Sequence, residues 1–427
     1  MRILLVSPWA TRHFRFRSLL SVLIDYPALS LPIVKGLIPA ELNAEVLIYD
    51  ELAHKTPPSG PFDVVGITAV TSVATRAYEI AEKYRAEGAC VVMGGIHPSA
   101  MPTEALAHAD AVVVGEGLDV WPQILRDVAE GREVSGIYQD SGITGIEVTP
   151  DRSIVTFPPY SPVDTVIASP GCPKQCSFCS IAATIPFYHR PIESVIRDLR
   201  TLKRKRLILT DPNFFMDRRY ALDLLKQMEP LGLKWGTTAT IDFGFDDELM
   251  DAARRAGCIG VLIGFESFTP AALKHVKKRS VDPSRYKEAI RNIHSRQITV
   301  NGPFIVGLDG DTEESLEALP QAVNDLGVDM PLFFVLTPFP GTPLFAEMKA
   351  AGRVLTEDWS RYDQNNVVFQ PESMSPARLA ELYKNAWRGA YSFSAIFKRV
   401  FRASGLSPIN RFVVLWQNIG FKYMGQH

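Results

Sequence analysis

A chain of 427 residues, 46% hydrophobic and 22% charged, is long enough for two or three domains with sizeable cores and has an ordinary globular composition. A net charge of −2, from 45 basic and 47 acidic residues, supplies no field for a nucleic-acid partner, and no apolar run reaches membrane-spanning length. The cysteine count, five, is odd and three of them cluster, which excludes a disulfide framework and fits a reducing, cytoplasmic setting.

From residue 1 to about 140 short apolar runs alternate with helical stretches. Strands are expected at Ile3–Ser7, Ala44–Tyr49, Val64–Thr68, Cys90–Met93 and Ala111–Val114, and helices at Leu31–Leu42, Val73–Glu87 and Leu118–Glu130. That alternation predicts a parallel, doubly wound sheet, whose ligands bind beyond the carboxyl ends of its strands. The loops there read Thr68-Ala69-Val70-Thr71-Ser72, Gly94-Gly95-Ile96-His97 and Gly115-Glu116-Gly117. Paired glycines allow a bulky ligand close to the backbone. Met1-Arg2-Ile3-Leu4-Leu5-Val6 reads as a first strand rather than a secretory leader. The loop after it holds Trp9 and His13, with Arg12, Arg15 and Arg17 as a basic cluster.

Residues 141–160 are rich in Gly, Pro, Ser and Asp, as a connector is. Strand–helix units resume over 161–350, with strands at Thr165–Ser169, Arg206–Thr210, Lys234–Thr240, Ile259–Gly264, Ile298–Val306 and Met330–Leu336. Six such units predict a parallel, partly open barrel with its site at the strand carboxyl ends. Those ends carry Asp211, Asp242, Glu266 and the turn Val306-Gly307-Leu308. Lys277-Lys278 reads as a solvated basic run.

The first of these strands leads into Cys172-Pro173-Lys174-Gln175-Cys176-Ser177-Phe178-Cys179. Three thiolates in eight residues point to a shared metal or cluster, and a structural zinc site would need a fourth ligand that no later Cys or His pair supplies. Residues 351–427 are expected to be helical. After Glu381 they hold no acidic residue but seven Lys or Arg interleaved with aromatics. That pattern fits a cap over the barrel mouth or a peripheral contact with an anionic bilayer on its cytoplasmic face.

The C-x3-C-x2-C spacing, with Phe178 just before the last cysteine, resembles the signature of the radical S-adenosylmethionine (SAM) enzymes. The resemblance implies a [4Fe-4S] cluster on Cys172, Cys176 and Cys179, whose open iron takes the amine and carboxylate of SAM. It makes Asp211, Asp242 and Glu266 candidates for the SAM ribose or amino group, and Val306, Gly307 and Leu308 for its adenine. Residues 1–140 resemble the cobalamin-binding domain of one large subfamily. There the loops bearing Thr68, Val70, Gly94, Gly95 and His97 would hold the dimethylbenzimidazole tail, and Gly115, Glu116 and Gly117 would close the sheet edge. The D-x-H-x-x-G motif that supplies a cobalt ligand is missing, so Trp9 and His13 become candidates for the lower face of the corrin.

The fold expected is therefore α/β: a Rossmann-like cobalamin domain, a partial (β/α)6 radical SAM barrel and a small helical carboxyl-terminal segment. The activity implied is methylation of an unactivated carbon, through a 5′-deoxyadenosyl radical and methylcobalamin. Its substrate would be a small apolar or anionic molecule of lipid, terpenoid or tetrapyrrole type, and its electrons would come from a flavodoxin- or ferredoxin-type reductant. Two other readings remain: the same cofactors without methyl transfer (cyclisation, ring contraction or oxygen insertion), and a cobalamin- or SAM-binding sensor without catalysis.

Overall fold

The computed structural model describes residues 1–9, 26–142, 148–155, 159–278, 282–402 and 408–424. His13 and the Arg12, Arg15, Arg17 cluster lie outside them. The first sheet is built from β1 (Arg2–Ser7), β2 (Glu45–Asp50), β3 (Val64–Thr68), β4 (Cys90–Gly94), β5 (Ala111–Val114) and β6 (Gly136–Gln139), all parallel, in the order β2-β1-β3-β4-β5-β6. β1, β3, β4 and β5 are continuous apolar runs because both faces are covered there. Ile3 and Leu5 face the helices Ser30–Gly36 and Val120–Ala129, while Leu4 and Val6 face the helix Ala74–Ala86. On that second face Phe345, Trp359, Tyr362 and Val368 also pack, so the later part of the chain completes the first core. The strand order reverses between β1 and β3.

The second sheet runs in sequence order from β7 (Asp164–Val166) through β8 (Arg206–Leu209), β9 (Lys234–Ala239), β10 (Cys258–Ile263) and β11 (Thr299–Val306) to β12 (Met330–Val335), again all parallel. Its helices begin where short polar side chains accept otherwise unpaired backbone N–H groups. Asp217, Asp246 and Thr312 cap the helices Arg218–Met228, Asp247–Arg255 and Glu313–Leu326. Ser375 does the same for Pro376–Ala390, with Pro376 in the first turn.

Differences from the sequence expectations are local. The helix expected over 31–42 stops at Gly36 and gives a short 3-10 turn at Ala40–Leu42, because Pro39 enters in an extended conformation that ends the helical run. β6 arises in a Gly-rich stretch with too few apolar residues to show a period, and holds its place by pairing with β5. β7 is cut to three residues, since the next N–H groups, of Ala168 and Ser169, go to Asp211 instead of a neighbouring strand. Two further helices, Phe393–Arg402 and Pro408–Met424, finish the chain.

Candidate active site

The cysteine loop leaves β7 at the mouth of the second sheet and is pinned on both sides. Ser177 N–H donates to the Val276 carbonyl at 3.3 Å, and Leu344 N–H donates to the Ser177 carbonyl at 3.0 Å. Cys179 N–H closes back on the Cys176 carbonyl at 3.1 Å. Phe178, half-buried, anchors the loop on the barrel core. All three cysteines are free and half-buried. Burial pushes the thiols of Cys176 and Cys179 up; Lys278 pulls Cys176 back, and the other cysteines and Glu266 raise it further. Ser177, between these cysteines, is bonded to Val276, two residues before the Lys278 that pairs with Glu266, so the cysteine loop and the Glu266–Lys278 pair share one end of the sheet.

Glu266 ends β10 in a left-handed backbone conformation, φ +63°, fixed by its N–H to Pro303 and its carbonyl to Ile305. Its carboxylate pairs with Lys278, whose ammonium also donates to the Gly264 carbonyl at 2.6 Å. Sequence reading placed Lys278 on a solvated face. That is corrected: its side chain is 9% exposed, since the helix Pro270–His275 ends at Val276 and turns the chain back over the strand end. A twelve-residue gap carries no periodic signal for such a pair. Asp242, exposed beyond β9, lies 3.9 Å from Lys174 of the cysteine loop and so stands over the mouth.

Two other acids hold the backbone. Asp211 is buried and accepts from Ala168 and Ser169, which fixes where the cysteine loop starts. The expectation that Asp211 offers its carboxylate to SAM is thereby corrected, because its oxygens are spent on the loop. Asp311 accepts from Gly307 and Leu308 N–H, both at 3.0 Å. Gly307 adopts φ +90°, and a Cβ there would come within 2.5 Å of Leu379. The close approach expected of adenine at Val306–Leu308 is thus made by the carboxyl-terminal helix, and Val306 and Leu308 are buried. Burial raises both Asp211 and Asp311 to about 7.

Tyr188, His189 and Arg190 brace this end of the barrel. His189 bridges Ser169 Oγ (2.9 Å) and Asp217 (3.2 Å) and stacks on Tyr220 at 4.1 Å. Arg190 donates to the Ile167 carbonyl and pairs with buried Asp198, which also binds Arg152.

In the first sheet a cavity of about 340 Å³ opens at the ends of β3, β4 and β5. Thr68, Val70, Gly94, Gly95, Gly115, Glu116 and Gly117 all line it, and Thr184 and Ile185 reach in from beyond the cysteine loop. Gly95 adopts φ +101° and would drive a Cβ to 2.9 Å from the Ala69 carbonyl oxygen, so no other residue fits the turn. The loop at β5 is set by Gly115 N–H on Ser99 and Gly117 N–H on Asp140. Glu116 is raised to about 7 by burial, against a hydrogen bond from Tyr188. His97 does not line the cavity. It is fully buried on the other side of its turn, 2.9 Å from Tyr78 Oη, with Glu104 and Trp359 beside it. The expectation that His97 touches a ligand is corrected: its position in the helix Ile96–Ala100 turns it into the core. Trp9 is outside the cavity lining too, its N–H held by Glu51 at 3.0 Å.

Residues 40–125 match the family model described as B12 binding domain, and residues 166–322 match Radical SAM superfamily. The bacteriochlorophyllide d C-12(1)-methyltransferase of Chlorobaculum tepidum is 33% identical over 90% of this chain and 88% of that protein. The chain belongs to the cobalamin-dependent radical SAM methyltransferase family. The C-8(2)-methyltransferase of the same organism is 29% identical over 87% of each chain. In fold, this family member is similar to the radical SAM methyltransferase TsrM of Kitasatospora setae with cobalamin and [4Fe-4S] cluster bound, at TM-score 0.65 and 18% identity over 90% of this chain and 81% of that one.

The cofactors of this cobalamin-dependent radical SAM enzyme are a [4Fe-4S] cluster, SAM and cobalamin, and its residues fit them. Among the described residues no three His, Cys, Asp or Glu close on one point as a single metal ion requires. A cubane asks only for one thiolate at each of three iron corners, which the cysteine loop can supply. Ser177 Oγ and Asn213 Oδ1 are buried without a partner beside the cysteines and the end of β8, as acceptors for an ammonium or hydroxyl group would be. On the cavity side of Gly94 the nearest atoms to an added Cβ are 3.9 Å away, so open room faces the strand end where a flat base would slide in.

Proposed function

We propose that this enzyme transfers a methyl group to an unactivated carbon of an apolar, anionic tetrapyrrole-type molecule. The likeness to the two bacteriochlorophyllide methyltransferases along nearly the whole of each chain carries the reading. When bound, the cluster and SAM supply the radical that abstracts a hydrogen atom, and cobalamin supplies the methyl group. Cys172, Cys176 and Cys179 hold the cluster. Glu266, kept in place by Lys278, and Asp242 take the SAM amino and ribose groups, while Asp211 and Asp311 hold rigid the loops around them. Gly94, Gly95 and the Gly115–Gly117 turn receive the cobalamin tail. The electrons come from an external one-electron donor of flavodoxin or ferredoxin type.

The test is anaerobic turnover of the reconstituted, reduced holoenzyme with bacteriochlorophyllide d and SAM deuterated in its methyl group. A product heavier by one deuterated methyl, absent when Cys172, Cys176 and Cys179 are changed to alanine, is the expected result. A product with a new ring or oxygen and no label would overturn methyl transfer. SAM cleavage with bacteriochlorophyllide d unchanged, beside methylation of a lipid or terpenoid, would overturn the tetrapyrrole class.

A further inference from the structure

The last two helices wear their aromatic side chains on the outside. Phe393–Arg402 buries Ala395, Ile396 and Val400 but exposes Phe393, Phe397 and Phe401, spaced by four along one face. Pro408–Met424 buries Val414 and Asn418 and exposes Phe412, Trp416 and Tyr423, again on one face. All six are between 45% and 69% exposed. A surface helix ordinarily turns charge outward, and an exposed ridge of this size marks an interaction surface. Lys422 Nζ lies 4.3 Å from the Phe393 ring centroid, so the first aromatic of one ridge sits beside the last turn of the other.

The charge around the ridge identifies what meets it. No acidic residue follows Glu381, while Lys384, Arg388 and Lys398 are exposed and Lys422 is half-exposed. Arg399 is the exception: it turns inward to Asn324 and the Ala390 carbonyl, both at 2.7 Å, and staples the two helices to the barrel. Between the helices a cavity of about 280 Å³ has aromatic walls of Trp387, Tyr391, Phe393 and Phe421, with Arg388 and Lys422 lining it. Two cations against low-dielectric walls suit a phosphate diester. Protein interfaces deplete lysine at their centres, whereas aromatic ridges edged with Lys and Arg suit the layer between headgroups and acyl chains. No helix among the described residues is long and apolar enough to cross a membrane.

We propose that the carboxyl-terminal helix pair docks the enzyme on an anionic phospholipid bilayer, its aromatic ridges entering the headgroup boundary and a lipid phosphate seated between Arg388 and Lys422. The ridges belong to these two helices, and the basic pocket to them and the end of the helix Pro376–Ala390, so the proposal stands apart from the choice of substrate.

The test is flotation of the full-length protein with vesicles of phosphatidylcholine alone or phosphatidylcholine with phosphatidylglycerol, at low and high salt. The wild type is expected to float with the anionic vesicles, to do so less at high salt, and to stay behind with the neutral ones. F397S with F401S, and separately F412S with W416S, should each weaken binding roughly tenfold or more, since each removes two inserted aromatics. R388E with K422E should weaken it by more than the roughly fivefold that loss of one near-surface cation gives. Unchanged circular dichroism shows that each variant has kept its fold, because all six positions are at the surface. A wild type that floats with neither vesicle overturns the proposal. So do ridge variants that convert a dimer to a monomer without changing flotation, which assign the ridges to a second copy of the chain. R388E with K422E binding like the wild type overturns the phosphate seat. Flotation needs no turnover, so its failure leaves the methyl-transfer reading as it was.

Discussion

Glu266 and Lys278 show how much a single pair can do at the barrel mouth. Both side chains are nearly buried, 11% and 9% exposed, so each charge depends on the other. Removing one partner of such a pair leaves the other charge desolvated and costs about 3–5 kcal/mol, whereas removing both together costs less. K278M is therefore expected to lower stability in anaerobic urea unfolding of the apoprotein by about that amount, and E266Q with K278M to recover part of it. Costs that simply add would show that the two side chains act independently. The buried acids make a second residue-scale case. Asp311 titrates near 7 in the fold because burial disfavours its charge, against 3.8 when free. Between about pH 4 and 7 the folded chain keeps a proton that the unfolded chain has released. The contribution of Asp311 to stability then falls as pH rises through that window, by roughly 1.4 kcal/mol per pH unit. D311N, neutral at every pH and able to accept the same N–H groups of Gly307 and Leu308, should flatten this slope in unfolding measured from pH 4 to 7. A slope unchanged in D311N would remove Asp311 as its source and leave Asp211 and Glu116, which burial raises in the same way.

At the scale of elements, the glycine turns of the first sheet do two separate things. Gly95 satisfies the backbone, whereas Gly94 keeps space open. G94L should thus fill the cavity end without straining the turn, since Gly94 lies in a strand conformation. The expected result is cobalamin binding weakened at least tenfold, about the worth of a lost apolar contact of this size, with iron content after reconstitution unchanged. Parallel loss of iron would mean that the substitution had unfolded the chain. Nearly every long element was legible in the residues, because buried parallel strands read as apolar runs and their helices as amphipathic stretches. The helices expected over Val73–Glu87 and Leu118–Glu130 form at Ala74–Ala86 and Val120–Ala129, and the strands at Val64–Thr68 and Ala111–Val114 fall where the pattern puts them. The cysteine loop was legible because soft ligands cluster in sequence. What was not legible depends on contacts far apart in the chain. β6 exists by pairing, β7 is shortened by Asp211, Lys278 is buried by a chain reversal, and Gly307 is occupied by Leu379.

The molecule as a whole is tied together across its two sheets by side chains that the sequence separates widely. Trp359 Nε1–H donates to Glu104 at 2.7 Å, and Glu104 also receives Tyr78 Oη, which meets His97. On the cavity side Glu116 bonds Tyr188 just beyond the cysteine loop. The same turns that line the cavity of the first sheet are thus braced from behind by the carboxyl-terminal segment and from the side by the barrel. Binding that orders these turns should slow opening in both sheets, because a ligand stabilises whatever structure it requires. Hydrogen exchange with and without cobalamin tests this directly. Protection is expected to rise at β3, β4 and β5 and also at β11 and β12. W359F keeps the ring packing but removes one of the two hydrogen bonds that Glu104 accepts, leaving the one from Tyr78, and such a loss costs about 1 kcal/mol. In that variant the gain at β3–β5 should persist while the gain at β11 and β12 shrinks. An equal gain at β11 and β12 in W359F would mean that coupling runs through Glu116 and Tyr188 instead, and Y188F would then be the variant that removes it.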